Sequence, residues 1–528
     1  MSAEDEGGGT LARRAGIVGA GTLTSRVLGL ARDMVVAAVF QAAATDLFFL
    51  CFTIPNALRM LLGEGAIASA VVPVFAEIRS TEGEEPARIY FAKISGLFLI
   101  LLTVVSAGGV AAAPLLARLY ATGYVDDPER FADVVKLTRV VFPYIFFMGM
   151  AALGMGGLNA LRRFAVPAFA PALLNVALIG AAFFLVGPAV DLGLPLVGAL
   201  ALGALIGGAL QWLVQWPAQR SAGLLRWPSI DLKHPGVRKT LRLMVPMLAG
   251  FGVYQLNTMI GRSLLTFLPT GSQSYIWYGQ RMVEIPQGMF ALAIAAAALP
   301  SLSELRATGD FDRLRRMFGD ALRLNLFLAL PATVALVVLA EPIVAVVFGR
   351  GAFSRAHVLE TVDSLRWQAA GIWAIASVRA VLPMFLAYHD TRSPVIASAT
   401  NLLIFAPTAW FLMWELDHVG VAIALSLAGI AQLSMLLVML RHKVGRLGLR
   451  AVSGGALKSL AASLAMGGYL YGMTGLSDWS RGGNDPKNIA VLAAAVIAGA
   501  LIYAGCSWLL GSRELGYILA GVRRRIRR

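Results

Sequence analysis

Apolar positions in this chain continue without a charge for longer than any soluble helix or strand requires. Residues 94–117, 164–189 and 489–511 contain no Asp, Glu, Lys or Arg. Each run exceeds the roughly 20 residues a helix needs to cross the hydrocarbon core of a bilayer, so each predicts a spanning helix. Extending the same window to segments that carry a few charges gives about fourteen spans. The longest connection, 217–242, is too short to fold as a domain, so no soluble catalytic domain is expected.

Composition turns this pattern into a class. The 528 residues are 58% hydrophobic and 14% charged, with a mean hydropathy of +0.72, well outside the range of soluble domains. The expectation is an all-α integral membrane protein. Its opening "MSAEDEGGGT" is acidic, unlike the basic start of a cleaved signal peptide, so the first helix is expected to remain. Cys51 and Cys506 sit in apolar runs and the five histidines are isolated. That pattern predicts no disulfide framework, no metal site and no cofactor.

The net charge of +15 changes meaning once its distribution is followed. Basic residues crowd alternate connections: Arg162 and Arg163, the 220–242 segment, Arg313 to Arg316, and the "RRRIRR" tail. The intervening loops hold few. The positive-inside rule accounts for this asymmetry and places both termini in the cytoplasm, so the charge does not point to nucleic acid.

Sliding the chain against itself by 227 residues aligns Pro73, Glu77 and Arg79 with Pro300, Glu304 and Arg306. Arg88, Phe91, Arg139 and Pro167 then fall on Arg315, Phe318, Arg366 and Pro394. An even number of spans per period preserves orientation, so the halves read as parallel repeats. The predicted architecture is two six-helix bundles around a central cavity, residues 10–233 and 234–450, followed by two additional helices and a basic tail in 451–528. The small residues of "GALALGALIGGAL", 198–210, suit close helix packing. "YVDDPER", 124–130, suits a turn and a helix start.

Against this apolar background a few charges stand inside spans: Arg26, Arg32, Asp33, Asp46, Arg59, Glu64, Arg262, Arg281, Glu284 and Arg379. Each costs roughly 2.5 to 3.5 kcal/mol at a helix centre, so together they must face something polar. Arg26 and Asp33, seven apart, and Arg281 and Glu284, three apart, can each share a helix face. Arginines outnumber acids six to four in this set, which favours an anion, and the guanidinium fork matches phosphate oxygens. Individual members could instead snorkel or form structural pairs.

The stretches "SRVLGLARD" (25–33), "ATDLFFLCFTIPNALRMLLGEGAIASAVVPVFAE" (44–77), "YGQRMVEIPQGMFALAIAAAALPSLSE" (278–304) and "DTRSPV" (390–395) resemble the MurJ/MviN family of the MOP exporter superfamily. The resemblance implies a flippase that carries the lipid-linked peptidoglycan precursor, lipid II, to the outer leaflet of the bacterial cytoplasmic membrane by alternating access. It implies substrate binding by Arg26, Arg32, Asp46, Arg59, Glu64, Arg281, Glu284 and Arg379, with Asp33 as ion-pair support. It also implies a lateral groove for the polyprenyl tail along the last two helices. The chain departs from the family pattern at Gln280, where members often have an aspartate, and at Arg379, where many have a lysine. Asn257 and Asn401 provide no carboxylate for sodium, so coupling to a monovalent cation or to the membrane potential stays open. Expected partners are the precursor, the phospholipid bilayer and the cell-wall synthesis machinery. The competing readings are a flippase for another lipid-linked oligosaccharide and a non-transporting scaffold.

Overall fold

The computed structural model describes residues 3–61, 67–445 and 447–526, and every regular element among them is a helix. Two compact units divide the chain, Met1–Thr270 and Gly271–Arg528.

The first unit runs α1 (Ala3–Val39), α2 (Ala42–Arg59), α3 (Ala68–Thr81), α4 (Glu84–Ala111), α5 (Ala113–Tyr120), α6 (Pro128–Val141), α7 (Tyr144–Ala160), α8 (Ala165–Phe169), α9 (Ala172–Phe184), α10 (Val186–Asp191), α11 (Gly198–Leu213), α12 (Trp216–Ser221) and α13 (Pro235–Leu264). The second comprises α14 (Ser272–Ala307), α15 (Phe311–Val338), α16 (Ala340–Phe348), α17 (Arg355–Ala370), α18 (Ile372–Ala387), α19 (Arg392–Val444), α20 (Leu449–Thr474), α21 (Pro486–Leu509) and α22 (Arg513–Ile526).

The repeat seen in the sequence is written into the helix boundaries. Helix α15 begins and ends 227 residues after α4, α16 begins 227 after α5, and α17 begins 227 after α6. Each unit also breaks its helix at the same place, between α6 and α7 and between α17 and α18, where the second pair bends by 41°.

The boundary between units falls later than the 233/234 division the repeat suggests. Helix α13, first of the second repeat by sequence, packs on α3 and α4. Its Thr240 hydroxyl lies 2.6 Å from the Tyr90 hydroxyl, and Lys239 donates to Glu77 at 2.6 Å. These bonds keep α13 in the first unit, while α20 to α22 join the second.

Close packing follows small residues, as the 198–210 run predicts. A Cβ on Gly203 of α11 would lie 2.5 Å from the Ala181 Cβ of α9, so only glycine permits this approach. In the second unit α20 and α21 pack along α15, and the Tyr503 hydroxyl donates to the Phe327 carbonyl at 2.6 Å. The outer face of α21 presents Ile497, Leu501 and Leu509, an apolar surface suited to lipid.

Among the described residues seven helices are long and apolar enough to cross a membrane, or nine if each bent pair is one span. The expected count of about fourteen also takes in charge-bearing helices such as α1, α2 and α13. It further takes the 53-residue α19 as two spans, and Asp417 breaks that helix, with φ 47° and ψ −136°.

Candidate functional site

In the first unit the site residues lie on α1 and α2. Adjacent helix positions point about 100° apart, yet the long Arg32 stem lets its guanidinium fold back on Asp33, with Nε and Nη2 at 3.0 and 2.7 Å from Oδ1. Its third arm, Nη1, donates to Asn175 Oδ1 of α9 at 3.1 Å. Asn175 in turn donates to the Ser25 carbonyl at 3.1 Å, tying α9 to α1 one turn before Gly29. Arg32 is 9% exposed and Asp33 1%. A charge that deep is tolerated when it is paired and hydrogen-bonded.

Asp33 therefore pairs with its neighbour Arg32, and not with Arg26 seven residues back as the helical spacing suggests. Arg26 is exposed and makes no hydrogen bond or ion pair among the described residues. Of the two candidate site arginines on α1, Arg26 has its donors available and Arg32 has most of its donors engaged by protein.

Asp46 is buried in the second turn of α2. Arg59 ends that helix half-buried, its Nε donating to Asn56 Oδ1 at 3.0 Å. Glu64 lies outside the described residues. Sequence reasoning missed Tyr144, the first residue of α7. Its ring sits 5.3 Å from Phe52, its hydroxyl is buried with no hydrogen-bond partner among the described residues, and the charges of Arg59 and Arg32 both act on it. An aromatic at the start of an apolar helix carries no signal of this in the sequence. Asn175 and Asn56 were equally silent.

In the second unit α14 arranges its groups at helical spacing. Arg281 Nη1 lies 2.9 Å from Glu284 Oε2, and Gln280 Nε2 donates to Glu284 Oε1 at 3.1 Å. The Trp277 ring, one turn back, lies under the guanidinium at 5.2 Å, within cation–π range. Gln280, at the position of the departure from the family pattern, thus supports Glu284. Arg379 is half-buried on α18. Arg262, near the end of α13 in the first unit, is 5% exposed.

Asn401, one of the two amides that stand where sodium coupling would want a carboxylate, belongs to a side-chain hydrogen-bond chain. Asn401 donates to Gln432 Oε1 at 3.1 Å, and Gln432 donates to Ser398 at 3.3 Å. Among the described residues no group of three or more His, Cys, Asp or Glu could hold a metal ion.

Each unit therefore contributes guanidinium groups held in apolar helices, supported by a carboxylate or an amide. Such groups can bind phosphate oxygens by charge-assisted, bidentate hydrogen bonds.

Comparison with known proteins bears on what that anion is. A family model described as lipid II flippase MurJ matches residues 35–483. A probable lipid II flippase MurJ of Vibrio cholerae is 34% identical over 510 residues, covering 94% of this chain and 95% of the relative. A lipid II flippase MurJ of Burkholderia cenocepacia is 32% identical over 500 residues, with 93% and 95% covered. Among solved structures, a lipid II flippase MurJ in an inward closed conformation superposes with a TM-score of 0.76 at 24% identity, covering 93% of this chain and 98% of that one. An inward-facing multidrug transporter of the MATE family in the MOP superfamily gives 0.69 at 15% identity, covering 80% and 95%. The last two likenesses concern the fold.

Proposed function

The chain belongs to the lipid II flippase MurJ family, and on that premise we propose that it moves lipid II from the inner to the outer leaflet of the cytoplasmic membrane by alternating access. It is a multi-pass membrane transporter and not an enzyme. The observation that carries the reading is the family match, which runs through both units and takes in Arg59, Arg281 and Arg379, with Arg26 and Arg32 lying before it.

The chemistry follows from the cargo. Lipid II presents a pyrophosphate between a sugar–peptide head and a polyprenyl tail. Arg26, Arg59, Arg281 and Arg379 bind the pyrophosphate oxygens, Arg32 with Asp33 holds α1 in place, and Asp46, Glu64 and Glu284 orient the arginines and meet the polar head. The tail stays in lipid along the apolar face of α20 and α21. With both termini cytoplasmic, the potential, negative inside, drives an anionic cargo outward at about 2.3 kcal/mol per charge per 100 mV for a full crossing. The cell-wall synthesis machinery is the partner this activity would serve.

Complementation tests the reading. In cells depleted of their own lipid II flippase, expression of this chain restores growth and wall synthesis, and the Arg26→Ala, Arg59→Ala and Arg281→Ala variants do not, although they reach the membrane. Failure of the unaltered chain, present in the membrane at normal level, would remove lipid II as cargo.

A further inference from the structure

The turn after α7 holds a backbone that the fold requires and a charge that it does not. Arg162 lies in the left-handed region at φ 59°. Its N–H reaches the Asn159 carbonyl at 2.9 Å and the Arg163 N–H reaches Leu158 at 2.9 Å, the paired bonds that close a helix C-terminus and that glycine makes most easily. The second unit repeats this turn 227 residues later. There His389 has φ 54°, with its N–H on Leu386 and the Asp390 N–H on Phe385, both at 2.9 Å. Both repeats need the left-handed residue. Only the first places arginine there.

Arg162 borders a cleft of about 330 Å³, lined also by Arg163, Phe164, Val166, Ile17 and Ala218. Its volume matches small-ligand sites. Close approach at Gly21, where a Cβ would lie 2.5 Å from the Ala168 carbonyl oxygen, seals α1 onto α8. One turn back, Ile17 borders the cleft. Arg163 fixes the opposite wall, donating to the Ser221 hydroxyl at 2.5 Å and to the Ala218 carbonyl at 3.4 Å on α12. Arg162 itself is exposed and makes no side-chain hydrogen bond or ion pair among the described residues. On the helices that carry the lining residues, Trp216 begins α12, edge-on to Trp212 at 5.2 Å, and Val18 of α1 and Phe169 of α8 are exposed. Tryptophans with exposed aliphatic and aromatic neighbours mark the level where headgroups meet acyl chains.

We propose that this cleft binds the phosphate headgroup of an anionic phospholipid, with Arg162 as the phosphate contact, Arg163 as the residue that holds the walls apart, and the apolar rim receiving the upper acyl chains. A free phosphate would gain nothing from the apolar lining, and a zwitterionic headgroup would bring its own cation to two arginines. The charge complementarity therefore selects a net-anionic lipid.

Native mass spectrometry of the detergent-purified full chain tests this, with phosphatidylglycerol, phosphatidylcholine and inorganic phosphate as probes. The unaltered protein should retain one phosphatidylglycerol more than Arg162→Gly does, with an affinity for it about five-fold higher. Glycine keeps the left-handed turn, so the variant loses only the charge, and Arg162→Lys should retain the lipid. Equal retention by the unaltered chain and Arg162→Gly would overturn the proposal. So would phosphatidylcholine bound as well as phosphatidylglycerol, or displacement of the lipid by millimolar phosphate.

Discussion

Arg32 and Asp33, adjacent in the chain, form a buried ion pair of 2.7 Å between side chains that leave the helix in different directions. Removing one partner would strand a charge in an apolar setting, at a cost of about 3 to 5 kcal/mol. Asp33→Ala should therefore unfold well below the unaltered protein in a detergent melting experiment. Replacing both residues by leucine should restore much of that loss, because the desolvation cost disappears with the pair.

The pair on α14 should behave differently. Arg281 and Glu284 are 33% and 46% exposed at their side chains, so solvent screening limits the pair to about 0.2 to 1 kcal/mol. Glu284→Ala should change the melting midpoint little while lowering transport, since Arg281 would lose the carboxylate that directs it.

Tyr144 offers the reverse effect. Its buried hydroxyl has no partner among the described residues, and an unsatisfied buried polar group costs about 1 to 3 kcal/mol. Tyr144→Phe should leave the protein at least as stable, by hydrogen exchange of α7 amides or by melting. A large loss would mean that the hydroxyl is bonded.

Asp390 sets a pH dependence at the turn before α19. Burial alone would raise its carboxyl, but Lys443 at 2.5 Å and the Ser393 N–H and hydroxyl outweigh it and hold the group well below the usual carboxylate range. A folded value below the unfolded one, about 3.9, gives stability that is complete above that pH and lost as pH falls through the folded value. The melting gap between the unaltered chain and Asp390→Asn should therefore be constant near neutrality and shrink below about pH 4.

Much of this molecule was legible in the sequence, for reasons that differ by feature. Uncharged runs longer than a bilayer crossing announce spans directly, and the alignment of Pro73 with Pro300 and Arg88 with Arg315 announced a repeat that the ends of α4 and α15 reproduce. The Arg281–Glu284 pair was readable because both residues lie on one helix at a spacing that fixes their meeting. Asn175 lies 143 residues from Arg32, and no local period reveals such a contact. The assignment of α13 to the first unit was hidden likewise, since it depends on Tyr90 meeting Thr240 across 150 residues.

The left-handed turn at Arg162 shows a third case. Its conformation follows from the end of α7, and glycine would have signalled it, but arginine at that position disguises the turn as a basic loop. Its partner in the repeat, His389, disguises the second one.

The central claim is that guanidinium groups within the membrane helices recognise the pyrophosphate of lipid II during its crossing. The most direct measurement is the rate at which purified protein in vesicles transfers labelled lipid II between leaflets, for the unaltered chain and for Arg26→Ala, Arg59→Ala and Arg281→Ala. The account predicts that each variant inserts normally and transfers at least about ten-fold more slowly, the equivalent of one lost charge-assisted contact of about 1.4 kcal/mol or more. Transfer at the unaltered rate by all three variants would contradict it.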